Sequence, residues 1–413
     1  MKRNFDTTML DNGLMILGER SPHARSLAAG FFVRTGSRDE PAELNGVSHF
    51  LEHMIFKGSD RRSAAEVNLE FDRIGAEYNA FTGEEATVYY GAVLPEYQER
   101  LVGQWLEILR PSLRPDDFHR EKQVILEEIA MYADRPQFRV YEIARRAFYG
   151  DHPLGRNVLG TDYSIKSLRR DAMRDYYAGR YAPDNIVAVL TGAYDWAAAV
   201  AQIRAGWAGL APRGVTRDRR PPATHAGRRV VRDDKVQRVN LAFAMPGVAA
   251  RDDRQYAARV AAVILGDAYG SRLYWHLVDA GLADVAGMDT IEEDGSGIIL
   301  AYAMTDAAGA PRVAGIVREV FREAAAGGVT DAELERARRK IAVGAMTGGE
   351  TPFGRLVPVG MEWLYRGEVR PLADHVDRIL AVTRDEVNAF LADGRFDNPM
   401  LVALGPIDEG VDL

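Results

Sequence analysis

His49-x-x-Glu52-His53 is the segment of this chain best equipped to do chemistry. On an α-helix, residues four apart stand one turn apart on one face, with Cβ atoms about 5–6 Å from each other. Two imidazoles so placed can converge on one Zn²⁺ at roughly 2.0–2.1 Å each. Glu52, one residue before the second histidine, is near enough to take a proton from a water that such an ion has acidified to a pKa of about 7. The chain has eight histidines in 413 residues, so the pattern should arise by chance in about one such chain per hundred. Core or helix-surface histidines are the bland alternative. It is disfavoured because ionisable groups on an otherwise apolar helix are costly to bury unless paired or metal-bound.

A catalytic zinc site usually has three protein ligands and one open position, so a third ligand must come from elsewhere. The run Glu121-Lys122-Gln123-Val124-Ile125-Leu126-Glu127-Glu128 offers it. Glu121 and Glu128 share a helix face two turns apart, roughly 10 Å along the axis, while Glu127 points about 100° away. Two carboxylates so separated seldom both reach one ion. One would be the ligand and the other a supporting carboxylate behind the ligands, and the spacing leaves open which is which.

The elements that must hold these groups read as alternating β and α segments. Met9–Leu17 is a pair of strands around the Asn12-Gly13 turn, and Leu27–Val33 is a buried strand. Gly46–Phe56 is a buried helix, with Leu51, Met54 and Ile55 at helical spacing. Ala64–Ile74 is a helix that stops at Gly75, and Ala76–Leu94 gives two strands around Thr82-Gly83-Glu84-Glu85. Gln98–Leu109 is helical, and so is Asp116–Tyr132, with Phe118, Val124, Ile125 and Ile129 as its apolar stripe. Helices near Val140–Tyr149 and Asp171–Tyr177 precede a strand at Asn185–Thr191.

Residues 211–228, polar and rich in Pro and Arg, are the expected linker. Beyond them the order recurs: a helix, Gly281-Leu282-Ala283 and strands to Ala303 echo the elements around Gly75, and Thr330-Asp331 opens a long charged helix as Pro115-Asp116 does. The expectation is an α+β protein of two homologous halves, 1–210 with the histidine motif and 229–413 without it, each an antiparallel-rich sheet packed with helices.

Composition narrows the function. Apolar residues make up 47% and charged residues 27%, which is globular and excludes a mainly disordered chain. The absence of cysteine excludes a disulfide framework, a thiolate zinc site and a cysteine nucleophile. A net charge of −8 argues against nucleic acid as the partner. No run approaches the ~20 apolar residues of a membrane span. Met1-Lys2-Arg3-Asn4-Phe5-Asp6 is not followed by the apolar stretch of a secretory signal, so the bacterial cytoplasm is the expected location. His23, His119, His225, His276 and His375 are isolated, and the glycine-rich Gly344–Gly354 lacks the Lys-Ser/Thr of a phosphate loop.

His-x-x-Glu-His, the reverse of the commoner zinc-protease order, resembles the inverzincins, the M16 family of pitrilysin-like peptidases. Asn45–Gly58 is similar to that family's helix signature throughout. Gly75-Ala76-Glu77-Tyr78-Asn79-Ala80-Phe81-Thr82 resembles its substrate-holding strand, and Glu121–Glu128 followed by Ala133-Asp134-Arg135-Pro136 its distal glutamate segment. His152-Pro153-Leu154-Gly155 and Leu159-Gly160-Thr161 extend the likeness, and the length suits the short branch typified by mitochondrial processing peptidase.

The resemblance implies one zinc per chain on His49, His53 and Glu128, with Glu52 as catalytic base and Glu121 in the assisting catalytic position. It also implies a clamshell dimer enclosing a chamber for unfolded peptides. Substrate would pair as an added strand with the backbone near Asn79, Ala80 and Phe81. One feature departs from the pattern. Active members carry in their second half an arginine and a tyrosine seven residues apart, whereas Leu277 and Asp284 stand at those positions here, and Arg272 and Tyr274 belong to the preceding helix start. The expected partner is therefore a paralogous subunit supplying the pair, with a homodimer as the alternative. A structural or assembly subunit that keeps the fold without turnover is the competing reading, although such a chain would have no need of Glu52.

Overall fold

The computed structural model describes residues 5–413; the basic start Met1-Lys2-Arg3-Asn4 lies outside the described residues. Along the chain run β1 (Phe5–Met9), β2 (Met15–Arg20), β3 (Leu27–Val33), α1 (Val47–Ile55), α2 (Ala64–Arg73), β4 (Glu77–Thr82), β5 (Thr87–Val93), α3 (Gln98–Ile108), α4 (Pro115–Ala133) and α5 (Pro136–Tyr149). There follow α6 (Asp162–Ser167), α7 (Arg170–Arg180), β6 (Ile186–Gly192), α8 (Trp196–Gly206), β7 (Gly227–Arg232), β8 (Val239–Pro246) and α9 (Gln255–Gly266). The last third holds β9 (Val285–Glu293), β10 (Ser296–Thr305), α10 (Ala310–Gly327), α11 (Asp331–Gly348), α12 (Pro352–Arg366), α13 (Leu372–Ala381), α14 (Arg384–Leu391) and β11 (Met400–Gly405).

These elements make two compact units. The first takes the chain up to Ala130, then Arg156–Asp218 and Thr347–Pro371; the second takes Met131–Gly155, Arg219–Met346 and Leu372–Leu413. The first unit is built on a six-stranded sheet in the order β1-β2-β6-β3-β5-β4, in which only β2 and β6 run parallel. β3 and β6 are buried at every position, as strands covered on both faces must be. On one face Ile16, Phe31 and Tyr89 pack with Phe50, Leu51 and Met54 of α1 and Trp105 of α3. On the other, Phe32, Val88 and Val189 lie under Leu356 and Val359 of α12.

The second unit has the order β7-β11-β8-β10-β9, with β7 and β11 parallel and every other pair antiparallel. That is the order and polarity of β2-β6-β3-β5-β4, so the internal duplication expected from the sequence is present in the topology. Phe243, Leu241 and Leu401 pack with Val260 of α9 and Val317 and Phe321 of α10. The opposite face, with Ala244, Leu300 and Val402, is covered by Val140, Ala144 and Phe148 of α5.

Each sheet thus has one face covered by a single helix from a distant stretch of chain, α12 on the first and α5 on the second. The expected halves were contiguous, whereas each compact unit includes one segment from the other side of the expected linker. The chain passes between units at Asp218–Arg219, inside the expected 211–228 stretch, whose last two residues open β7. That stretch is anchored as well as polar. The Arg217 guanidinium grips both Asp39 carboxylate oxygens, at 2.9 and 2.7 Å, and Arg180 reaches the same carboxylate at 2.9 Å. Among the described residues no helix is long and apolar enough to cross a membrane.

Candidate metal centre

α1 carries the histidine motif, and its start is built around a residue that only glycine suits. Gly46 sits at φ 92°, and a Cβ there would meet the Leu159 carbonyl oxygen at 2.6 Å. Gly46 has no side chain to cap the helix, so Glu40 does it from outside. Its Oε2 accepts from the Gly46 N–H at 2.7 Å and from Asn45 Nδ2 at 2.9 Å, and its Oε1 from the Ser48 N–H at 2.8 Å. Full burial pushes the Glu40 carboxyl up to about 7, against the pull of these donors. Phe50, Leu51, Met54 and Ile55 are inaccessible to solvent, and Ser48 Oγ lies 2.8 Å from the Tyr176 hydroxyl. With its apolar face committed to the core, α1 turns His49 and His53 toward α4.

α4 is held there by apolar contacts. Phe118 stacks on Phe50 at 4.9 Å with 13° between the rings, and Ile125 is buried in the same core. Glu121 and Glu128 project from this face, while Glu127 is exposed. Val124, expected in the apolar stripe, is instead 44% exposed, because it stands a turn-fraction away from the line through Phe118, Ile125 and Glu121.

Glu128 Oε2 lies 3.7 Å from His49 Nε2 and 3.6 Å from His53 Nε2, and one ligand atom from each of the three falls within 4.8 Å of the others. Donors around a tetrahedral ion with bonds of roughly 2.0–2.2 Å stand about 3.3–3.6 Å apart, so the set fits zinc. Glu121 does the other job. Its Oε1 is 2.8 Å from His53 Nδ1 and its Oε2 2.6 Å from Lys57 Nζ, which places the His53 proton on Nδ1 and leaves Nε2 for an ion. Spacing left the choice between the two carboxylates open; in this geometry Glu128 approaches both histidines and Glu121 pairs with the other ring nitrogen of His53.

Electrostatics agree with the division. Burial, helped by the neighbouring His53, pushes His49 down to about 3, so it is neutral with a lone pair to donate. His49 Nδ1 is buried with no hydrogen-bond partner among the described residues. Burial pulls His53 down as well, but the Glu121 hydrogen bond and surrounding carboxylates raise it overall. Burial lifts Glu128 above the ordinary carboxylate range. Glu121 is held below that range by His53 and Lys57 despite its burial. Glu52 is raised by burial against the Thr82 hydroxyl, which donates to its Oε2 at 2.6 Å. A carboxylate of raised proton affinity beside the metal set suits a group that must take up a proton and give it away.

Asn79, Ala80 and Phe81 lie on β4, which forms one edge of the first sheet, opposite β1. The Ala80 N–H bonds to its neighbour Asn79 Oδ1 at 2.9 Å. The half-buried Phe81 ring packs on the α12 face of the sheet, 6.1 Å from Tyr90. In the second unit Leu277 is fully buried, Asp284 bonds Arg238, and Arg272 is forked on Glu333 at 2.8 and 3.0 Å. Sequence reasoning missed three supporting residues: Glu40, Lys57 and Thr82. Lys57 lies just past the end of α1, in the turn that follows Phe56, so helical spacing from His53 does not reach it.

Residues 15–162 match the family described as insulinase (peptidase family M16), and residues 167–341 match the peptidase M16 inactive domain. An uncharacterized zinc protease of Streptomyces coelicolor is 33% identical, covering 97% of this chain and 90% of its own. Another, from Bacillus subtilis, is 31% identical over 91% of this chain and 92% of its own. Among solved structures, a protease from Helicobacter pylori superposes with a TM-score of 0.90 at 19% identity, covering 98% of this chain and all of that one. A chain of complex III from Candida albicans has the same fold, with a TM-score of 0.85 at 17% identity over 97% of this chain and 96% of its own. By its two matched domains and these full-length zinc-protease relatives, the chain belongs to the M16 peptidase family.

Proposed function

We propose that this chain is a zinc-dependent endopeptidase or oligopeptidase acting on unfolded peptides. The observation that carries the reading is the convergence of His49 Nε2, His53 Nε2 and Glu128 Oε2, with the Glu52 carboxylate on the same helix. When bound, zinc would polarise the scissile carbonyl and acidify the attacking water. Glu52 takes the proton of that water and delivers it to the leaving amine. Glu121 holds His53 in the tautomer that donates through Nε2, and Lys57 keeps Glu121 ionised. An extended substrate would add to the edge of β4, pairing with the backbone around Asn79 and Ala80.

Such a site would work within a dimer chamber. Leu277 and Asp284 cannot do the work of an arginine and a tyrosine, so we assign this chain the role of catalytic subunit beside a paralogous M16 subunit that supplies them. The test is hydrolysis of a quenched, unstructured peptide by the zinc-loaded chain, alone and mixed with an M16 paralogue carrying the pair. Strong stimulation by the paralogue supports the heterodimer, and full activity alone supports a homodimer. Inertness of both zinc-loaded samples would favour the non-turnover structural subunit.

A further inference from the structure

We propose that Thr82 is a positioning residue for Glu52, so that β4, the strand assigned to pair with substrate, also sets the orientation of the base. The inference rests on the peptidase reading. Thr82 closes β4 and stands directly opposite Thr87 of β5. Its hydroxyl lies 2.6 Å from Glu52 Oε2 and 3.4 Å from Thr87 Oγ1. Each hydroxyl has one proton to give. The Thr87 proton is committed to the Thr35 carbonyl at 2.8 Å, so Thr87 has none left for Thr82. The Thr82 proton goes to Glu52, the shorter and charge-assisted bond.

Behind this pair the frame is fixed. Thr35 Oγ1 accepts from Arg180 Nε at 2.9 Å and Asn185 Nδ2 at 3.1 Å. Thr35 and Thr87 are both inaccessible to solvent. On the far side of the same turn, the Ser37 N–H donates to the Gly83 carbonyl at 3.2 Å and the Arg38 N–H to the Glu84 carbonyl at 2.8 Å. Glu52 Oε2 is therefore tied to a strand end pinned from two directions, while the rest of Glu52 belongs to α1. A peptide that pairs along β4 tightens the strand that carries Thr82. The base is then held where the scissile bond will lie, and its orientation is gained from substrate pairing as well as from α1.

Thr82→Val keeps the shape and the strand preference of the side chain and removes only the hydroxyl, and Thr82→Ser puts the hydroxyl back. In whichever assembly cleaves, Thr82→Val should lower kcat roughly 10- to 100-fold, as expected for loss of a hydrogen bond to a charged group. KM should stay within about twofold, zinc content should be unchanged, and Thr82→Ser should recover most of the rate. Parental kcat in Thr82→Val, a rise confined to KM, or a loss that Ser does not restore would overturn the role. Glu52→Gln and the parent run alongside separate the two claims: if the parent does not cleave in any assembly, the peptidase reading fails and this inference with it, and if Glu52→Gln cleaves at the parental rate, Glu52 is not the base and Thr82 has no base to position. A readout independent of turnover is the crystal structure of Thr82→Val, in which the Glu52 carboxylate should have left the β4 end. A carboxylate found unmoved overturns the proposal.

Discussion

Glu121→Gln gives two pH trends of opposite sign, and both follow from one hydrogen bond. In the parent, Glu121 receives the His53 Nδ1 proton at 2.8 Å and is itself paired with Lys57 at 2.6 Å, its side chain only 6% exposed. Glutamine can still accept from His53 through its carbonyl, but it is neutral and turns an amide toward the lysine. Loss of such a supporting carboxylate typically weakens metal binding by about 10- to 100-fold, or roughly 1.4–2.7 kcal/mol. The size of the deficit should depend on pH. Glu121 is among the groups that raise His53 against the lowering effect of its burial, and a proton on Nε2 competes with zinc. Parental affinity therefore starts to fall at a higher pH than the variant's, and the deficit of Glu121→Gln is widest in alkaline buffer and narrows as pH falls.

The zinc-free protein should do the reverse. A folded-state pKa raised above the unfolded value stabilises fully below that unfolded value, about 6.5 for histidine, and the contribution is lost as pH rises through the folded pKa. Apo parent should then exceed apo Glu121→Gln in thermal midpoint most clearly in mildly acidic buffer, with the gap narrowing toward alkaline pH to what the lowered Glu121 carboxylate itself contributes through Lys57. Chelator-competition titrations and calorimetry across the same buffers measure the two trends. Equal zinc affinity in parent and variant, or a deficit that is flat with pH, would refute the assignment of Glu121 to His53.

Two further outcomes follow from packing and charge. Phe118→Ala removes the ring stacked on Phe50 and should cost about 3–5 kcal/mol. That lowers the midpoint of the first unit by roughly 6–20 °C and loosens zinc binding, since Glu121 and Glu128 ride on the same helix; a midpoint within a few degrees of the parent would contradict it. Arg217→Met withdraws the fork from Asp39, whose side chain is 1% exposed. Arg180 still pairs with that carboxylate, so the loss should be about 3 kcal/mol, at the low end for a broken buried pair, with faster proteolysis within 211–226. An unchanged cleavage pattern by mass spectrometry would mean that the anchoring of this stretch lies elsewhere.

What the sequence disclosed was what local physics determines. The Asn12-Gly13 hairpin, the fully buried Leu27–Val33 strand and the face shared by His49 and His53 all follow from turn chemistry and helical spacing. Glu121 and Glu128 could be named as candidates from their seven-residue separation, but their division of labour depends on how far α4 sits from α1, and that is set by Phe118 on Phe50. The sequence placed a helix near Val140–Tyr149, within α5, without saying which sheet it would cover, and α12 was not read from it at all. The expected boundaries therefore missed the exchanged segments. The Arg-rich 211–228 stretch read as a linker because the carboxylates that Arg217 meets, Asp39 at 2.7 Å and Glu85 at 3.6 Å, lie far away in sequence. Thr82 escaped for the same reason: a threonine at a strand end is unremarked until the fold brings Glu52 to its hydroxyl.

The most direct test of the account compares peptide cleavage by the zinc-loaded chain, in the assembly that proves active, with cleavage by Glu52→Gln carrying the same zinc. Glu52 is not one of the three converging ligands, so the variant should keep its metal and its fold. The account predicts a loss of about 10²- to 10⁴-fold in kcat, the usual share of a general base, with zinc still bound. Cleavage by zinc-loaded Glu52→Gln at the parental rate would contradict it, and would leave His49, His53 and Glu128 as a metal site without the chemistry assigned to it.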